Sequence, residues 1–417
     1  MTEESGHMST AIVVGGGIIG LSCAIRLRQR GFRVVVIDEA RPVKPASWGN
    51  AGHIAVEQVT PLATLDVIRS APRRLFGLTG GPLDIGWRYV GTWLPWCLRY
   101  LRASLPLRAA QGHVALRAAL AQAMPEWRAM VADLQAPDLL IENGHLMVWG
   151  EGHDPSAAMR TVMESDLGTA SARLMDSAEL AGVATRMGVR PLSGLVFSGT
   201  AQVRSPGAVL ETMQAHLTLD PDCHRREQHV TRVASASGGV QVTLQDGSVL
   251  KGDKVILAAG VRTSDLVPGW RPPLIAERGY HIEWDHGGIP EGPPVVFADR
   301  SVIVSMFGTR MRASTFVEFT HADAPPDIRK WEWLEKTVEK AGLPVRSGFS
   351  RWVGCRPTLP DYLPAIGPVA GLPGVIAACG HQHLGLTLAP LTACIVSSIA
   401  AGDAVPDVAR PFCPNRF

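Results

Sequence analysis

The chain has 417 residues, 46 % apolar and 19 % charged, which is room for two or three domains and too apolar for a disordered polypeptide. Forty basic against 38 acidic side chains leave a net charge of +2, which excludes a global attraction to nucleic acid. Seven cysteines, an odd number without a C-x-x-C pair, argue against a disulfide framework or a zinc finger and fit a reducing, cytoplasmic compartment.

The first residues are acidic (Thr2, Glu3, Glu4), so the apolar run from Ala11 lacks the positive flank of a secretion signal. Ser-Gly-His-Met at 5–8 reads as an appended leader, with Met8 the native start. "AIVVG" (11–15) predicts a buried strand, "GGIIGLSCAIRLRQRG" a helix with Leu21, Ala24, Ile25 and Leu27 inward, and "FRVVVIDEA" a second strand. Together they make one β-α-β unit. The next stretch, "SWGNAGHIAVEQ" (47–58), has two glycines, an asparagine and a histidine where a simple nucleotide fold starts its next helix.

Residues 62–136 read as helical and rich in tryptophan, with breaks at Pro72, Gly80-Gly81-Pro82 and Pro95. Alternating segments at 145–150, 194–203, 280–285, 295–308 and 309–320 predict a mainly antiparallel sheet with one polar face. A hairpin is expected around Gln245-Asp246-Gly247, followed by the buried strand "KVILAAG" (254–260). Residues 384–402 are uncharged for 19 positions, close to transmembrane length, but hold Gly385, Pro390, two threonines and two serines; a buried helix is expected.

Gly15-x-Gly17-x-x-Gly20 lies between strand and helix, with Asp38 closing the second strand 18 residues after Gly20. The first glycine permits the tight turn, the second lets backbone approach a pyrophosphate, and the third lets helix and strand pack closely. The helix N-terminus offers N–H groups to phosphate, and Asp38 can accept from a ribose hydroxyl. The motif alone does not separate NAD from FAD. Interleaving of nucleotide-type and sheet segments along the chain implies two domains sharing one cleft.

The stretches "VVGGGIIGLSCAIRL", "SWGNAGHI", "ERGYHIEW", "GTRMRASTFVEF", "WVGCRPTLPDYLPAIG" and "GHQHLGLTLAP" span nearly the whole chain. Through them it resembles the FAD-dependent D-amino-acid dehydrogenases, in the larger family that includes glycine oxidase and sarcosine oxidase. The resemblance implies an α/β chain: an interleaved Rossmann-type FAD-binding domain (8–61, 190–270, 346–417) and an α+β substrate domain (62–189, 271–345) with a mainly antiparallel sheet. It implies cofactor contacts at Gly15, Gly17, Ile18, Ile19, Gly20, Asp38, Glu39, Ser47, Asn50, Ala51, Gly52, Ala259, Gly260, Gly380, His381, His383, Leu384, Gly385 and Thr387. His53 is expected beside the isoalloxazine.

Arg356 matches the family's carboxylate-binding arginine, and Tyr280 resembles the tyrosine that stands beside the carboxylate. Arg204 and Arg312 are further substrate-side candidates, although Arg310 and Arg312, two apart on a strand, equally suit ion pairs. His381 and His383 form an H-x-H pair with no third ligand nearby, so no metal is expected. The position of the covalent flavin cysteine in the sarcosine-oxidase branch falls on Gly354, which implies a non-covalent FAD. No lysine lies between Lys254 and Lys330, where that branch has one that assists reaction with oxygen.

The implied reaction is hydride removal from Cα of a D-amino or cyclic imino acid, D-proline and D-hydroxyproline first, with electrons passed to a quinone or another acceptor. It proceeds by orientation, without a dedicated base. A glycine- or sarcosine-type oxidase, a non-catalytic FAD relay subunit and an NAD-dependent reductase are the alternatives. Residues 86–108, where aromatic and aliphatic residues interleave with Arg88, Arg99, Arg102 and Arg108, read either as a cap of the substrate domain or as an interfacial helix for peripheral membrane contact on the inner face.

Overall fold

The computed structural model describes residues 8–39, 44–150 and 154–417; the expected leader up to His7 lies outside the described residues. Thr10–Val14, Ile18–Gln29 and Arg33–Asp38 form the expected β-α-β unit. Thr10–Val14 pairs in parallel with Arg33–Asp38 on one side and Lys254–Leu257 on the other. Its residues from Ala11 to Val14 are all buried, because both faces of this sheet are covered. The full order is Cys223–Glu227, Arg33–Asp38, Thr10–Val14, Lys254–Leu257, Val375–Cys379 and Ala365–Pro368, the last antiparallel and the rest parallel. Strands from three distant stretches of chain thus complete one Rossmann-type sheet.

One face of this sheet carries Ile18–Gln29, which packs on Gly385–Ala400, itself packed on the long helix Pro106–Asp133. Trp127 is fully buried there and donates its Nε1–H to the Leu386 carbonyl at 3.1 Å. Residues Gln382–Ala400 have the length and apolarity to cross a membrane, yet 72 % of that window is buried inside the protein, as expected of a core helix. The hairpin expected at Gln245-Asp246-Gly247 joins Gly239–Leu244 to Val249–Gly252, with Gly247 at φ +83°.

A nine-stranded, mostly antiparallel sheet forms the second layer. Its order is Ser350–Thr358, Ile275–Asp285, Arg310–Thr320, Val302–Phe307, Val295–Phe297, His145–Trp149, Ser193–Ser198 and Ser171–Leu174, with Leu83–Ile85 pairing alongside Arg310–Thr320. Ser193–Ser198 and Ser350–Thr358 lie in stretches (190–270 and 346–417) expected in the cofactor domain, so the segment boundaries need correction at both places. The apolar alternation of these strands is satisfied by cross-strand partners in this sheet. The stretch 194–203, expected as one strand, divides at Gly199 (φ +83°), and Ala201–Val203 joins His53–Ile54 and Leu140–Ile141 in a small separate sheet. Pro95 does not break its helix: Val90–Ala103 runs through it. The ring removes one bond, to Gly91, and both residues are exposed to water.

Candidate active site

The Gly15–Gly20 turn is built for close approach. Gly15 has φ +113°, and a Cβ there would stand 2.3 Å from the Ala258 carbonyl oxygen; one on Gly20 would stand 1.8 Å from that of Gly15. Gly17 offers Ile18–Gln29 no side-chain cap, and the start of that helix faces a cavity of about 1390 Å³. Ser47 enters from the following loop, its hydroxyl accepting from the Ile18 N–H at 3.1 Å. Gly15, Gly17, Ile18, Ile19, Asp38, Glu39, Ser47, Asn50, Ala51, Ala259 and Gly260 line one continuous wall of that cavity. A glycine cradle, an open helix end and a strand-terminal carboxylate fit an adenine dinucleotide.

The loop at 47–58 crosses between the two sheets. Asn50 Oδ1 accepts from the Gly52 N–H at 2.8 Å, and Gly52 (φ +77°) leaves room for the Phe307 ring, 2.8 Å from a hypothetical Cβ. Arg312 holds the loop from the nine-stranded sheet by donating to the carbonyls of Trp48 (2.9 Å) and Asn50. Thr387, on the core helix, accepts the Ala55 N–H at 3.0 Å. Trp352 fixes the floor: its ring stacks on His281 at 4.7 Å, and a Cβ on either Gly49 or Gly354 would meet it at 2.1 Å. Gly354 is therefore where a side chain has no space.

His53 lines the cavity and shares a 3.0 Å hydrogen bond between Nε2 and Glu57 Oε1. His145 meets the His53 ring edge-on at 4.5 Å and bonds the Thr200 hydroxyl through Nδ1. One donor atom from each of His53, Glu57 and His145 lies within 4.8 Å of the others. Burial would raise the Glu57 carboxyl, but the His53 charge and hydrogen bond bring it down to about 2. Glu57 and His145 were not found from the sequence. The only local signal was a carboxylate four residues beyond His53; nothing in 145–150 marked His145.

Arg356 lies in Ser350–Thr358, opposite Glu277 on the neighbouring strand. Its Nη1 donates to Glu277 Oε1 at 3.2 Å and to the Phe316 carbonyl at 3.0 Å. Glu277 Oε2 is held in turn by the hydroxyls of Thr358 and Tyr362. The Phe316 carbonyl reaches inward because Phe316 adopts φ +72°, a costly conformation for an aromatic residue, opposite a bulge between Arg278 and Tyr280. The guanidinium crosses Gly279, where a Cβ would lie 2.2 Å from Nη2. One edge of the fork is thus pinned, and the side chain lines the cavity, 26 % exposed.

His381, His383 and Gly385 also line the cavity, whereas Gly20, Gly52, Gly380, Leu384 and Thr387 stand behind the wall as packing or tethering residues. Gly380 (φ +77°) is needed where Leu359 approaches to 2.4 Å of a Cβ. Two substrate-side expectations, Arg204 and Arg312, require correction. Arg204 turns away to the Asp138 carbonyl and carboxylate. Arg312 is buried against Glu283 at 2.6 Å and spent on the 48–50 loop. Tyr280 lines the cavity as expected, and its hydroxyl donates to Glu318 at 2.9 Å and accepts the Asp327 N–H at 3.1 Å.

Burial holds three imidazoles neutral: His145 and His381 are pushed down to about 3 and His383 to about 4. Their ordinary value is 6.5, so below it the unfolded chain binds more protons than the native one. Their stabilising contribution is complete above 6.5 and is lost as pH falls from 6.5 towards 4 and 3. The melting temperature is expected to drop steeply across that window, and His381→Asn to flatten the drop. An unchanged slope in that variant counts against the assignment.

Residues 10–399 match the family described as "DAO: FAD dependent oxidoreductase". The chain is 28 % identical over 422 residues to a protein named D-amino-acid oxidase from Bradyrhizobium diazoefficiens, covering 97 % of this chain and 98 % of the other. It is 26 % identical to D-amino acid dehydrogenase 2 of Pseudomonas aeruginosa (90 % and 91 % covered) and 26 % to glycine oxidase of Pseudomonas putida (97 % and 98 %). Its fold is similar to iminodiacetate oxidase from Chelativorans, at TM-score 0.71, 18 % identity and 97 % and 98 % coverage. It is also similar to glycine oxidase from Geobacillus kaustophilus, at TM-score 0.69, 18 % identity and 98 % and 100 % coverage. With the glycine cradle, the helix start facing the cavity and a match spanning nearly its whole length, the chain belongs to the FAD-dependent oxidoreductase family, and its cofactor is FAD.

Proposed function

We propose that the protein oxidises a D-amino or cyclic imino acid at the Cα–N bond and passes the electrons to a quinone or another carrier. Arg356 carries this reading: its guanidinium is clamped by Glu277 and Phe316 on one edge and faces the cavity with the other, an arrangement suited to a carboxylate. FAD, when bound, supplies the two-electron acceptor that takes hydride from Cα. The chain's own part is to hold the acid by its carboxylate, fix the direction of its Cα–H and exclude water behind Trp352 and the His53–Glu57 pair. Relatives named D-amino-acid oxidase and D-amino acid dehydrogenase support the substrate class.

The crowding of Trp352 over Gly354 supports a non-covalent cofactor. Lys330, the nearest lysine after Lys254, is buried against Asp84 at 2.7 Å, which supports an acceptor other than oxygen. Oxygen use in the manner of a glycine oxidase is the second reading, favoured by the Pseudomonas putida relative. Turnover of a panel of D-, L- and cyclic amino acids with an artificial dye, followed with peroxide detection in air, tests both. Dye reduction by D-acids without peroxide is expected; no turnover with any amino or imino acid contradicts the proposal.

Gly279→Ala is expected to displace the Arg356 fork while leaving the nucleotide cradle intact. KM for the acid should rise roughly ten- to a hundredfold with flavin content unchanged. A KM within twofold of the parent enzyme would contradict the placement of the carboxylate.

A further inference from the structure

Val90–Ala103 is attached to the protein by one face only. Trp93 and Trp96 are buried, their Nε1–H groups donating to the carbonyls of Gly86 (3.0 Å) and Thr358 (3.1 Å), so the helix is rigidly seated. Val90, Leu94, Leu98 and Leu101, spaced by four, four and three residues, form a second apolar ridge, and all four are exposed, Leu98 by 61 %. Trp87 extends the ridge at one end, its ring edge-on to Trp93 at 5.5 Å; Leu105 and Leu107 extend it at the other. Exposed apolar residues scattered singly need no explanation, but a continuous ridge does.

The charge around the ridge says what covers it. Of the eight arginines between residues 67 and 125, Arg69 and Arg117 are paired with Asp66 and Asp166 and Arg74 lines the cavity, which leaves five against the one acid of that stretch, Asp84. Asp84 is itself engaged by Lys330. Arg73, Arg88, Arg99, Arg102 and Arg108 are exposed, and among the described residues none of the five is in an ion pair. Arg99 and Arg102 project from the flank of the helix beside the leucines. Long basic side chains bordering an aliphatic ridge, with a tryptophan at its end, match an interface whose interior is hydrocarbon and whose surface is anionic.

We propose that this helix and its flanks are a docking surface for an anionic lipid bilayer, the leucines entering the acyl boundary and the five arginines lying at the phosphate level. The surface is distinct from the cavity, and lipid binding needs no substrate, so the proposal stands independently of the reaction assigned above.

The test is flotation of the FAD-loaded full chain with phosphatidylcholine vesicles, with and without phosphatidylglycerol. Binding is expected only with phosphatidylglycerol and should weaken as salt rises. The combined variant Arg99→Gln, Arg102→Gln should bind about thirtyfold more weakly, and Leu94→Gln, Leu98→Gln, Leu101→Gln at least about tenfold more weakly. Unchanged flavin spectrum and melting temperature in both variants establish that they are folded. Failure of the parent protein to float, or equal flotation of parent and both variants, overturns the proposal. So does a parent protein that sediments as a dimer, does not float, and becomes monomeric in the leucine variant, which would make the ridge a contact between copies of this chain. Binding to an acidic protein without binding to vesicles overturns it as well.

Discussion

Replacing Arg356 with methionine is expected to lower the rate of substrate-dependent flavin reduction, at subsaturating acid, by about a thousandfold. The change removes two charge-assisted contacts to a carboxylate, about 4 kcal/mol together with the orientation they impose. It also leaves Glu277, buried beneath the fork, without its cation. Breaking a fully buried pair costs ~3–5 kcal/mol, and the loss here falls below that because Arg356 is 26 % exposed. Arg356→Lys separates the two effects. A lysine restores the charge opposite Glu277 but not the planar fork, so its melting temperature should return towards that of the parent while reduction stays at least about tenfold slow. Anaerobic stopped-flow reduction and a thermal melt of each variant make the comparison. Recovery of both properties in the lysine variant would reduce Arg356 to a structural ion-pair partner.

The second large effect belongs to the cofactor cradle. Gly15→Ala asks an L residue to adopt φ +113° and drives its methyl to within 2.3 Å of the Ala258 carbonyl oxygen, which belongs to backbone next to the central strand Lys254–Leu257 and cannot swing aside. The expected product is protein purified with little or no flavin and destabilised by roughly 2–4 kcal/mol, since strain adds to the loss of a ligand that binds the native state alone. Gly31→Ala is the control: Gly31 also has positive φ (+80°), but nothing lies within 4 Å of its Cβ position, so it should cost only about 1 kcal/mol and retain FAD. The ratio of bound flavin to protein in the two variants decides the point. Full flavin occupancy in Gly15→Ala would show that the turn does not hold the cofactor as described.

Much of this architecture was legible because local rules and tertiary structure agree. The β-α-β unit declares itself through a buried strand, a glycine turn and an acid at the next strand end, and the hairpin at Asp246-Gly247 through its turn residues. The Arg356 position was reached by resemblance, and its neighbours were not. Glu277 reads as one more residue of a strand, and only the antiparallel register opposite Arg356 makes it a clamp. Phe316 gives no sign in sequence that its carbonyl is turned inward by a left-handed backbone. Arg312 is turned from the cavity, and Tyr280 is tied down at its edge, for one shared reason: a polar side chain on a buried strand face must find partners inside the protein, and Glu283 and Glu318 supply them from neighbouring strands. Arg204 failed because its helix start faces Asp138 on the surface. His53 and Glu57 were four residues apart in plain view, but only the small sheet that turns His53 inward brings His145, 92 positions away, against it.

In the proposed reaction an acid is held by Arg356 over a flavin seated on the Gly15–Gly20 turn. Anaerobic mixing of the FAD-loaded protein with D-proline and, separately, with pyrrolidine, the same amine without its carboxylate, tests it most directly. Bleaching of the visible flavin band by the acid is expected, with bleaching by the amine at least about a thousandfold slower and the difference abolished in Arg356→Met. Equal bleaching by acid and amine, or full discrimination retained without Arg356, would contradict it.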